Sequence, residues 1–175
     1  MMSGDERLTV DAFIALGSNL DDPVQQIRRA LRQLDTLPGT RLCQSSSLYT
    51  NPPIGPQDQP EFVNAVAQVS TSLSAQDLLA ALKSLEKAAG RRLTRHWGER
   101  VLDLDLLTYG SLVSADPILT LPHPGIAQRR FVLLPWLEIA PDAQLPDGRS
   151  IQSLLADAPA HPLHRLDARQ HGTPD

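Results

Sequence analysis

The chain is poor in the features that define several large classes of protein. Its single cysteine, Cys43, excludes an internal disulfide and a four-cysteine zinc site. The longest strongly apolar stretch, residues 131–137, contains a proline and is too short for a membrane span, and charged residues precede any apolar run at the N-terminus. The formal net charge of -4 argues against the broad basic surface that nucleic acids or membranes require. We therefore expect a cytoplasmic protein without a signal peptide, whose partners are small molecules rather than nucleic acid or membrane.

What remains is the composition of an ordinary globular domain. With 175 residues, 41% of them hydrophobic, the chain can bury one core without a second domain. We place this domain at residues 10–155 and expect loosely ordered termini at 1–9 and 156–175.

Hydrophobic periodicity predicts the order strand, helix, strand, strand, helix, strand. The predicted strands are residues 10–16, 41–49, 62–71 and 101–109. The predicted helices carry apolar residues from Val24 to Leu34 and from Leu78 to Leu85, with Asp21 or Asp22 and then Ser74 as N-caps. This order is the split βαββαβ arrangement of a ferredoxin-like α+β fold, with an antiparallel-rich sheet. We expect its helices to pack on one face of the sheet.

The most informative stretch runs from residue 91 to 107, where a basic cluster leads into a leucine-rich strand. Asp103 and Asp105 are two residues apart, so in a strand both carboxylates lie on one face and the leucines on the other. Two neighbouring anions repel unless a cation lies between them, and Mg2+ prefers one or two carboxylates together with phosphate oxygens. Arginines such as Arg91 and Arg100 are suited to those phosphates. The stretch therefore predicts a metal and phosphate site.

A simpler interpretation is a half-exposed strand whose aspartates face solvent. Five basic residues among the 14 that precede Val101 favour the functional interpretation, because they can compensate the paired carboxylates. No Gly-x-Gly-x-x-Gly or P-loop motif is present, so arginines and metal would have to hold the phosphates of a bound nucleotide. A magnesium-dependent phosphodiesterase, a nucleotidyl transferase and a non-catalytic nucleotide sensor remain open at this point.

Three further features have two interpretations each. Residues 51–60 contain four prolines and form either a binding loop or lid, or a rigid surface crossover. His123, between two prolines, is either functional or a surface turn residue. Phe62 and Asn64 share one face of a strand, where they could stack on and hydrogen-bond to a flat heterocycle, but Asn64 could equally be exposed at the sheet margin.

The tail that follows a predicted last helical turn at 149–155 has no periodicity. His161 and His164 have the spacing of a metal-binding pair, but nothing nearby completes such a site. We expect this part of the tail to be disordered.

Several segments, in order along the chain, resemble the 6-hydroxymethyl-7,8-dihydropterin pyrophosphokinases. The strongest resemblance is carried by His96-Trp-Gly-Glu-Arg-Val-Leu-Asp-Leu-Asp-Leu-Leu107. The others are residues 14–19, 52–64, 86–91, 121–124 and 129–141. Members of this family are folate-pathway enzymes that transfer pyrophosphate from ATP to a pterin, and the resemblance covers about residues 10–155.

The resemblance implies roles for three groups of residues. It implies that Asp103 and Asp105 bind two Mg2+ ions that bridge the ATP phosphates, while Arg91 and Arg100 contact the phosphoryl groups. The implied ATP-binding residues are Glu86, Trp97, Leu106, Thr120, His123 and Arg129, and Trp97 would belong to a loop that closes over the substrates. The implied pterin-binding residues are Asn51, Pro52, Ile54, Phe62, Asn64 and Phe131, with the two phenylalanines on opposite faces of the pterin.

Three departures from the family pattern concern the nucleotide. The interval from Arg91 to Trp97 is one residue shorter than in some members, so either Arg92 or Arg95 could make a further phosphate contact. Pro124 stands where some members have an aromatic residue, and Ile118 where some have a basic one. The resemblance implies Mg2+ as cofactor and ATP and hydroxymethyldihydropterin as substrates, and we expect a monomer.

Overall fold

The structure, a computed structural model, describes residues 8–90, 98 and 100–166. Within these residues, the strands are β1 (Val10–Ser18), β2 (Thr40–Ser45), β3 (Tyr49–Asn51), β4 (Phe62–Thr71), β5 (Asp103–Tyr109), β6 (Ser114–Asp116), β7 (Leu119–Leu121) and β8 (His164–Arg165). The helices are α1 (Pro23–Leu34), α2 (Ala75–Ala88), α3 (Arg130–Ile139) and α4 (Ile151–Asp157), with a short 3-10 turn at Ile126–Gln128. None of the described helices is both long enough and apolar enough to span a bilayer.

Six strands form one antiparallel sheet in the order β5-β1-β4-β3-β8, and β2 also pairs with β4. The long β4 pairs with both β2 and β3 along the same edge. Thr40 of β2 lies opposite Thr71 at one end of β4, and Asn51 of β3 lies opposite Phe62 at the other end. Strands β6 and β7 form a separate hairpin. Strand β1 thus lies between β5 and β4, as the split βαββαβ arrangement requires. The predicted α+β, ferredoxin-like fold class is confirmed.

Helices cover both faces of this sheet: the two helices of the predicted βαββαβ order, α1 and α2, share one face as expected, whereas α3 and α4 cover the other. Ile14 and Leu16 of β1 pack with buried residues of α1 and α2 on one face, whereas Val66 of β4 packs with α3 and α4 on the other. Strand β4 is buried through most of its length, since both of its faces are covered. The second helical layer includes Trp136, whose ring lies 5.1 Å from that of Phe13.

Two local features differ from the expectations, and a third concerns an apolar run for which the sequence predicts no element. The predicted strand 41–49 is divided into β2 and β3 where Ser46 turns its hydroxyl to accept from the backbone N–H of Val66 at 2.9 Å. The last predicted strand begins at Asp103 rather than at residue 101. The apolar run from Phe131 is helical in α3 although it contains Pro135.

The caps of the first two helices differ in kind. Pro23 occupies the first turn of α1 as predicted, but the N-cap residue Asp22 has a left-handed backbone (φ 61) and no side-chain capping hydrogen bond in the described structure. Ser74 caps α2 as predicted, since its hydroxyl accepts from the N–H of Asp77 at 3.1 Å.

After α4 the chain continues along the edge of the sheet. Strand β8 pairs with β3, with Arg165 opposite Tyr49 and His164 opposite Thr50. Residues 158–166 therefore follow a defined path beside β3, which differs from the expectation of a loose tail from residue 156.

Candidate active site

A cavity of about 300 Å³ opens at one end of the sheet, between the sheet and the N-terminus of α3. The predicted site residues in its wall are Asn51, Ile54, Phe62, Asn64, Arg100, Asp103, Asp105, Arg129 and Phe131. The remaining wall is formed by Ala15, Leu16, Gly17, Ala65, Gly98 and Val132. The structure thus brings the predicted metal ligands and most of the predicted pterin-binding residues to one space.

The sheet register explains this convergence. Gly17 of β1 lies opposite Asp103 of β5 on one side and opposite Asn64 of β4 on the other. One step along, Ala15 lies opposite Asp105. Residues opposite one another in a sheet point to the same face, so both carboxylates and the Asn64 amide rise from the same floor. The small residues of β1 keep that floor open.

Asp105 is a strongly perturbed carboxyl in the wall of this cavity. Burial and the neighbouring carboxylate of Asp103 raise its pKa from 3.8 to about 7, although Arg129 and Lys83 act in the opposite direction. Arg129 Nη1 lies 3.6 Å from Asp105 Oδ2. The arginine is close but does not offset the combined effect of burial and a second anion. A cation bound between the two carboxylates would relieve this repulsion.

His123 is held as a neutral donor beside this pair. Its Nδ1 accepts from the N–H of Gly125 at 3.0 Å, which places the ring proton on Nε2. Its own N–H donates to the carbonyl of Leu107 at 2.9 Å, which fixes the residue against β5. Burial, together with the charge of Arg129, lowers its pKa from 6.5 to about 4. The 3.9 Å approach of Nε2 to Asp105 Oδ2 is therefore a polar contact rather than an ion pair at neutral pH.

The interpretation of His123 as a surface turn residue does not hold, because only 22% of its side chain is exposed. The same turn positions Arg129. A Cβ at Gly125 would lie 2.8 Å from Arg129 Nε. The guanidinium can take this position because residue 125 has no side chain.

Asn19 connects Arg100, in the cavity wall, to the proline-rich loop. Its Oδ1 accepts from the N–H of Arg100 at 2.8 Å, and its own N–H donates to the carbonyl of Arg100 at 2.9 Å. Its Nδ2 donates to Gln59 Oε1 and to the carbonyl of Pro60, both at 3.0 Å. The sequence suggested only a turn at residues 17–19, because an asparagine in a Gly-Ser-Asn segment gives no sign of its burial.

The part of the cavity wall that carries the predicted pterin-binding residues contains a pair of side-chain amides. Asn64 Nδ2 donates to Asn51 Oδ1, and Asn51 Nδ2 donates to the carbonyl of Pro52 at 3.0 Å. Asn64 is only 7% exposed, so its alternative placement at an exposed sheet margin is wrong. Phe62 and Phe131, from β4 and the start of α3, also belong to this part of the wall.

Four predicted ATP-binding residues do not line the cavity. Glu86 is 1% exposed; its Oε2 accepts from the N–H of Leu104 at 2.7 Å and its Oε1 lies 3.6 Å from Lys83 Nζ. Leu106 belongs to the core beneath α1 and α2, and Thr120 lies exposed on β7. Pro52 and His123 also lie outside the wall, although both contact residues that form it.

Four predicted residues, Arg91, Arg92, Arg95 and Trp97, fall outside the described residues, and their roles stay predictions. Two of the three departures from the family pattern lie within the described residues, where Ile118 is 82% exposed and Pro124 is also exposed.

The donor set suits a hard cation. In the described parts of the chain, no group of three or more His, Cys, Asp or Glu side chains is arranged to hold a metal ion. Asp103 and Asp105 offer oxygen ligands only, which fits Mg2+ when phosphate oxygens and water supply the rest of its shell. His161 and His164 do not act as a metal pair here, since His161 contacts Pro52 and the His164 side chain is exposed.

A family model described as 7,8-dihydro-6-hydroxymethylpterin-pyrophosphokinase (HPPK) matches residues 13–141. The chain belongs to this family. It is 44% identical over 158 residues to the 2-amino-4-hydroxy-6-hydroxymethyldihydropteridine pyrophosphokinase of Haemophilus influenzae, a match that covers 90% of this chain and 99% of that one. It is 47% identical over 154 residues to the enzyme of the same name from Pseudomonas aeruginosa, covering 88% of this chain and 95% of the relative.

Solved structures agree on the fold. The crystal structure of wild-type HPPK-DHPS from Plasmodium falciparum superposes with a TM-score of 0.64 at 14% identity. The match covers 85% of this chain and 44% of that longer chain. At this level of identity the likeness shows a shared HPPK fold and nothing about individual residues.

Proposed function

We propose that this chain transfers pyrophosphate from ATP to the hydroxymethyl group of 6-hydroxymethyl-7,8-dihydropterin, giving AMP and the pterin pyrophosphate, as a step of folate biosynthesis. Membership of the HPPK family supports the reaction. One structural observation supports placing this reaction in the cavity. Its wall includes both the Asp103–Asp105 pair and the pocket of Phe62, Asn64 and Phe131. A metal and phosphate site and an aromatic amide pocket are the two environments that this pair of substrates needs.

The pterin half would hold the ring by stacking and by its edge. Phe62 and Phe131 come from different elements of the wall, so a flat heterocycle can lie between them with both faces covered. The amides of Asn51 and Asn64 present donors and acceptors in the plane of such a ring, and Ile54 adds apolar contact. This pocket would align the hydroxymethyl group toward the aspartates.

The phosphate half would hold ATP through charge. Asp103 and Asp105 would bind two Mg2+ ions, which supply neutralisation of the phosphate charge and polarisation of the attacked phosphorus when bound. Arg100 and Arg129 border the same space and would contact the phosphate oxygens. The neutral Nε2–H of His123 gives a further donor directed toward Asp105. The family resemblance adds two further predicted contacts with ATP, those of Arg91 and Trp97.

The reaction would proceed by direct displacement. The hydroxymethyl oxygen loses its proton to solvent and forms a bond to the β-phosphorus, while the bond from that phosphorus to the oxygen that bridges the α- and β-phosphates breaks, and AMP leaves with that oxygen. Such a transfer depends on positioning and charge neutralisation more than on a covalent intermediate. The chain's part is to hold both substrates in line and to exclude water that would hydrolyse ATP.

The other functions considered for the paired aspartates fit the cavity less well. A phosphodiesterase or nucleotidyl transferase has no use for an aromatic amide pocket beside its metals, and a nucleotide sensor has no use for two carboxylates on one strand face. The test is to measure AMP formation from ATP with and without hydroxymethyldihydropterin, in Mg2+ and in EDTA. AMP formed in Mg2+ only when the pterin is present, in equal amount to pterin pyrophosphate, supports the proposal. AMP formed at the same rate without the pterin would contradict it.

We further propose that the enzyme is a cytoplasmic monomer that needs neither nucleic acid nor a membrane. The expectation rests on its acidic net charge and on substrates that are small molecules. Light scattering after gel filtration checks the oligomeric state, because a mass near 19.1 kDa is expected for one chain.

A further inference from the structure

The C-terminal segment at residues 158–166 lies behind the pterin half of the cavity. Its end is fixed to the sheet through β8, and the N–H of Leu166 donates to the carbonyl of Leu48 at 2.8 Å. The Nη1 of Arg130 donates to the carbonyl of His161 at 3.3 Å. The segment is thus attached both to the edge strand β3 and to the first residue of α3, the two elements that carry Asn51 and Phe131.

His161 makes the contact that reaches the pocket. Its Nε2 lies 2.8 Å from the carbonyl oxygen of Pro52. A carbonyl oxygen can only accept, so this nitrogen carries the ring proton and donates it. The same oxygen accepts from Asn51 Nδ2 at 3.0 Å. The 3.4 Å separation between Asn51 Nδ2 and His161 Nε2 is therefore the distance between two donors that share one acceptor.

The consequence of this arrangement is a connected row of hydrogen bonds. His161 and Asn51 both donate to the Pro52 carbonyl, and Asn51 in turn accepts from Asn64. Because Asn51 uses its NH2 group on Pro52 and its oxygen on Asn64, its amide has one orientation. That orientation dictates which group Asn64 presents to the cavity. The side chains of Asn51 and Asn64 are buried, whereas His161, at the outer end of the row, is half-buried.

The imidazole also supports one of the two predicted stacking rings. Its centroid lies 6.1 Å from that of Phe131, with the rings inclined at 60°, which is an edge contact. One side chain of the tail therefore touches the start of the proline-rich loop and the ring at the start of α3. Phe131 and Asn51, the neighbour of Pro52, both line the cavity.

We propose that His161 is a positioning residue for the pterin: it lies outside the cavity and holds Asn51, Pro52 and Phe131 in the arrangement that the pterin meets. The inference rests on the proposed function, in which this half of the cavity binds the pterin. It assigns a role to a histidine that does not touch substrate, and to a tail segment whose sequence carries no periodicity.

The experiment compares four variants of the full chain: His161→Ala, His161→Phe, His161→Gln and the control His164→Ala. Steady-state KM values for pterin and ATP, kcat, and the thermal midpoint are measured for each. His161→Ala should raise the pterin KM roughly three- to tenfold, as expected for one lost hydrogen bond and a lost ring contact, and leave the ATP KM unchanged. His161→Gln can place an N–H near the same carbonyl and should recover part of the loss. His164→Ala should match the wild type, because that side chain is exposed.

His161→Phe keeps an aromatic ring beside Phe131 and loses the donor, so it isolates the hydrogen bond and serves if the alanine variant does not fold. A wild-type pterin KM in His161→Ala or His161→Phe would overturn the proposal. So would an equal rise in both KM values, or a glutamine variant no better than alanine.

Two further variants distinguish a failure of the proposed role of His161 from a failure of the proposed function of the cavity. If Asn64→Ala and Phe131→Ala raise the pterin KM and the His161 variants do not, only the role of His161 is wrong. If Asn64→Ala and Phe131→Ala also leave the pterin KM unchanged, the pterin has been assigned to the wrong place and the proposed function of this cavity fails.

Discussion

The side-chain oxygen of Asn64 lies 2.9 Å from the point where a Cβ at Gly17 would stand. Real Cβ atoms do not approach so closely, so the amide occupies its place only because residue 17 has no side chain. Gly17 is also the register partner of Asp103 on its other side. A single glycine thus lies between the predicted metal ligands and the predicted pterin pocket, and its lack of a side chain keeps the two continuous.

Gly17→Ala should damage pterin binding more than it damages the fold. The obstructing atom is the end of a side chain, which can rotate away, so we expect a small change in thermal midpoint and roughly a tenfold rise in the pterin KM. Comparison with Asn64→Ala and the double variant checks the cause. In the double variant the clash is gone, so the two losses should not add. Additive losses would place the effect of Gly17 elsewhere.

Asp103→Asn and Asp105→Asn should each reduce pyrophosphate transfer roughly a thousandfold or more at saturating Mg2+, because losing a metal ligand removes charge neutralisation in the transition state. Asp142→Asn, a change of an exposed aspartate, is the matched control. A variant at either position that keeps more than about a tenth of the wild-type kcat would refute the metal assignment.

Asp105→Asn should also stabilise the protein in EDTA at about pH 8. Burial and the nearby carboxylate of Asp103 raise the pKa of Asp105 from 3.8 to about 7, so this carboxyl lowers the free energy of unfolding progressively between those two pH values, and the full cost is present above about pH 7. Replacing it with a neutral amide removes the cost. Thermal unfolding in EDTA measures the effect, and a midpoint lower than that of the wild type would show that the two carboxylates do not repel in the folded protein.

Asn19→Ala should impair both halves of the site together. The change removes the acceptor for the N–H of Arg100 and the donor to Gln59 and Pro60, all within a buried region. We expect a loss of about 2 kcal/mol in the free energy of unfolding and a rise in both KM values. Gln59→Ala removes only one of these bonds and is the control. If Asn19→Ala changed the KM for one substrate alone, its proposed link between the two halves would be wrong.

A cluster at Glu138 gives the protein a defined acid sensitivity. Tyr49 Oη donates to Glu138 Oε1 at 2.5 Å, and the N–H and hydroxyl of Ser47 donate to Oε2 at 3.0 and 2.9 Å. Burial alone would raise the pKa of Glu138, but these hydrogen bonds hold it below its ordinary 4.5. Burial and the bond to Glu138 raise the pKa of Tyr49 to about 12, so the phenol stays a donor.

A carboxylate with a lowered pKa stabilises the fold above its unfolded pKa, and that stabilisation is lost as the pH falls through the folded value. Stability should therefore decline below pH 4.5, partly because of Glu138. Tyr49→Phe should cost about 1 to 2 kcal/mol at neutral pH and make the acid decline shallower. Urea unfolding of both proteins between about pH 3 and pH 7 measures this. Parallel curves for the two proteins would show that the hydrogen bond does not perturb Glu138.

The strand that carries the metal site could be predicted because its pattern is local. Residues two apart in a strand point to the same face whichever strand lies beside them. Asp103 and Asp105 accordingly line the same cavity. Ser74 could be predicted as a cap for the same reason. The pterin pocket came largely from the family resemblance, since Phe62 and Asn64 alone were compatible with an exposed margin.

The features that could not be predicted depend on contacts between distant segments. Pro135 counts against a helix, yet α3 forms because its apolar side packs on the second face of the sheet. Asn19 accepts a hydrogen bond from Arg100, which is 81 residues away in the sequence. His161 donates to the carbonyl of Pro52, which is 109 residues away. Neither polar residue carries any local signal of its partner.

The central claim is that one cavity holds the pterin and the phosphates of ATP on either side of Gly17, with Asp103 and Asp105 as metal ligands. A crystal structure of the complex with Mg2+, a non-hydrolysable ATP analogue and hydroxymethylpterin tests it most directly. We expect the pterin ring between Phe62 and Phe131, its hydroxymethyl oxygen facing the β-phosphorus, and two Mg2+ ions bound by the carboxylates. A pterin bound outside this cavity, or Mg2+ bound without Asp105, would contradict the account.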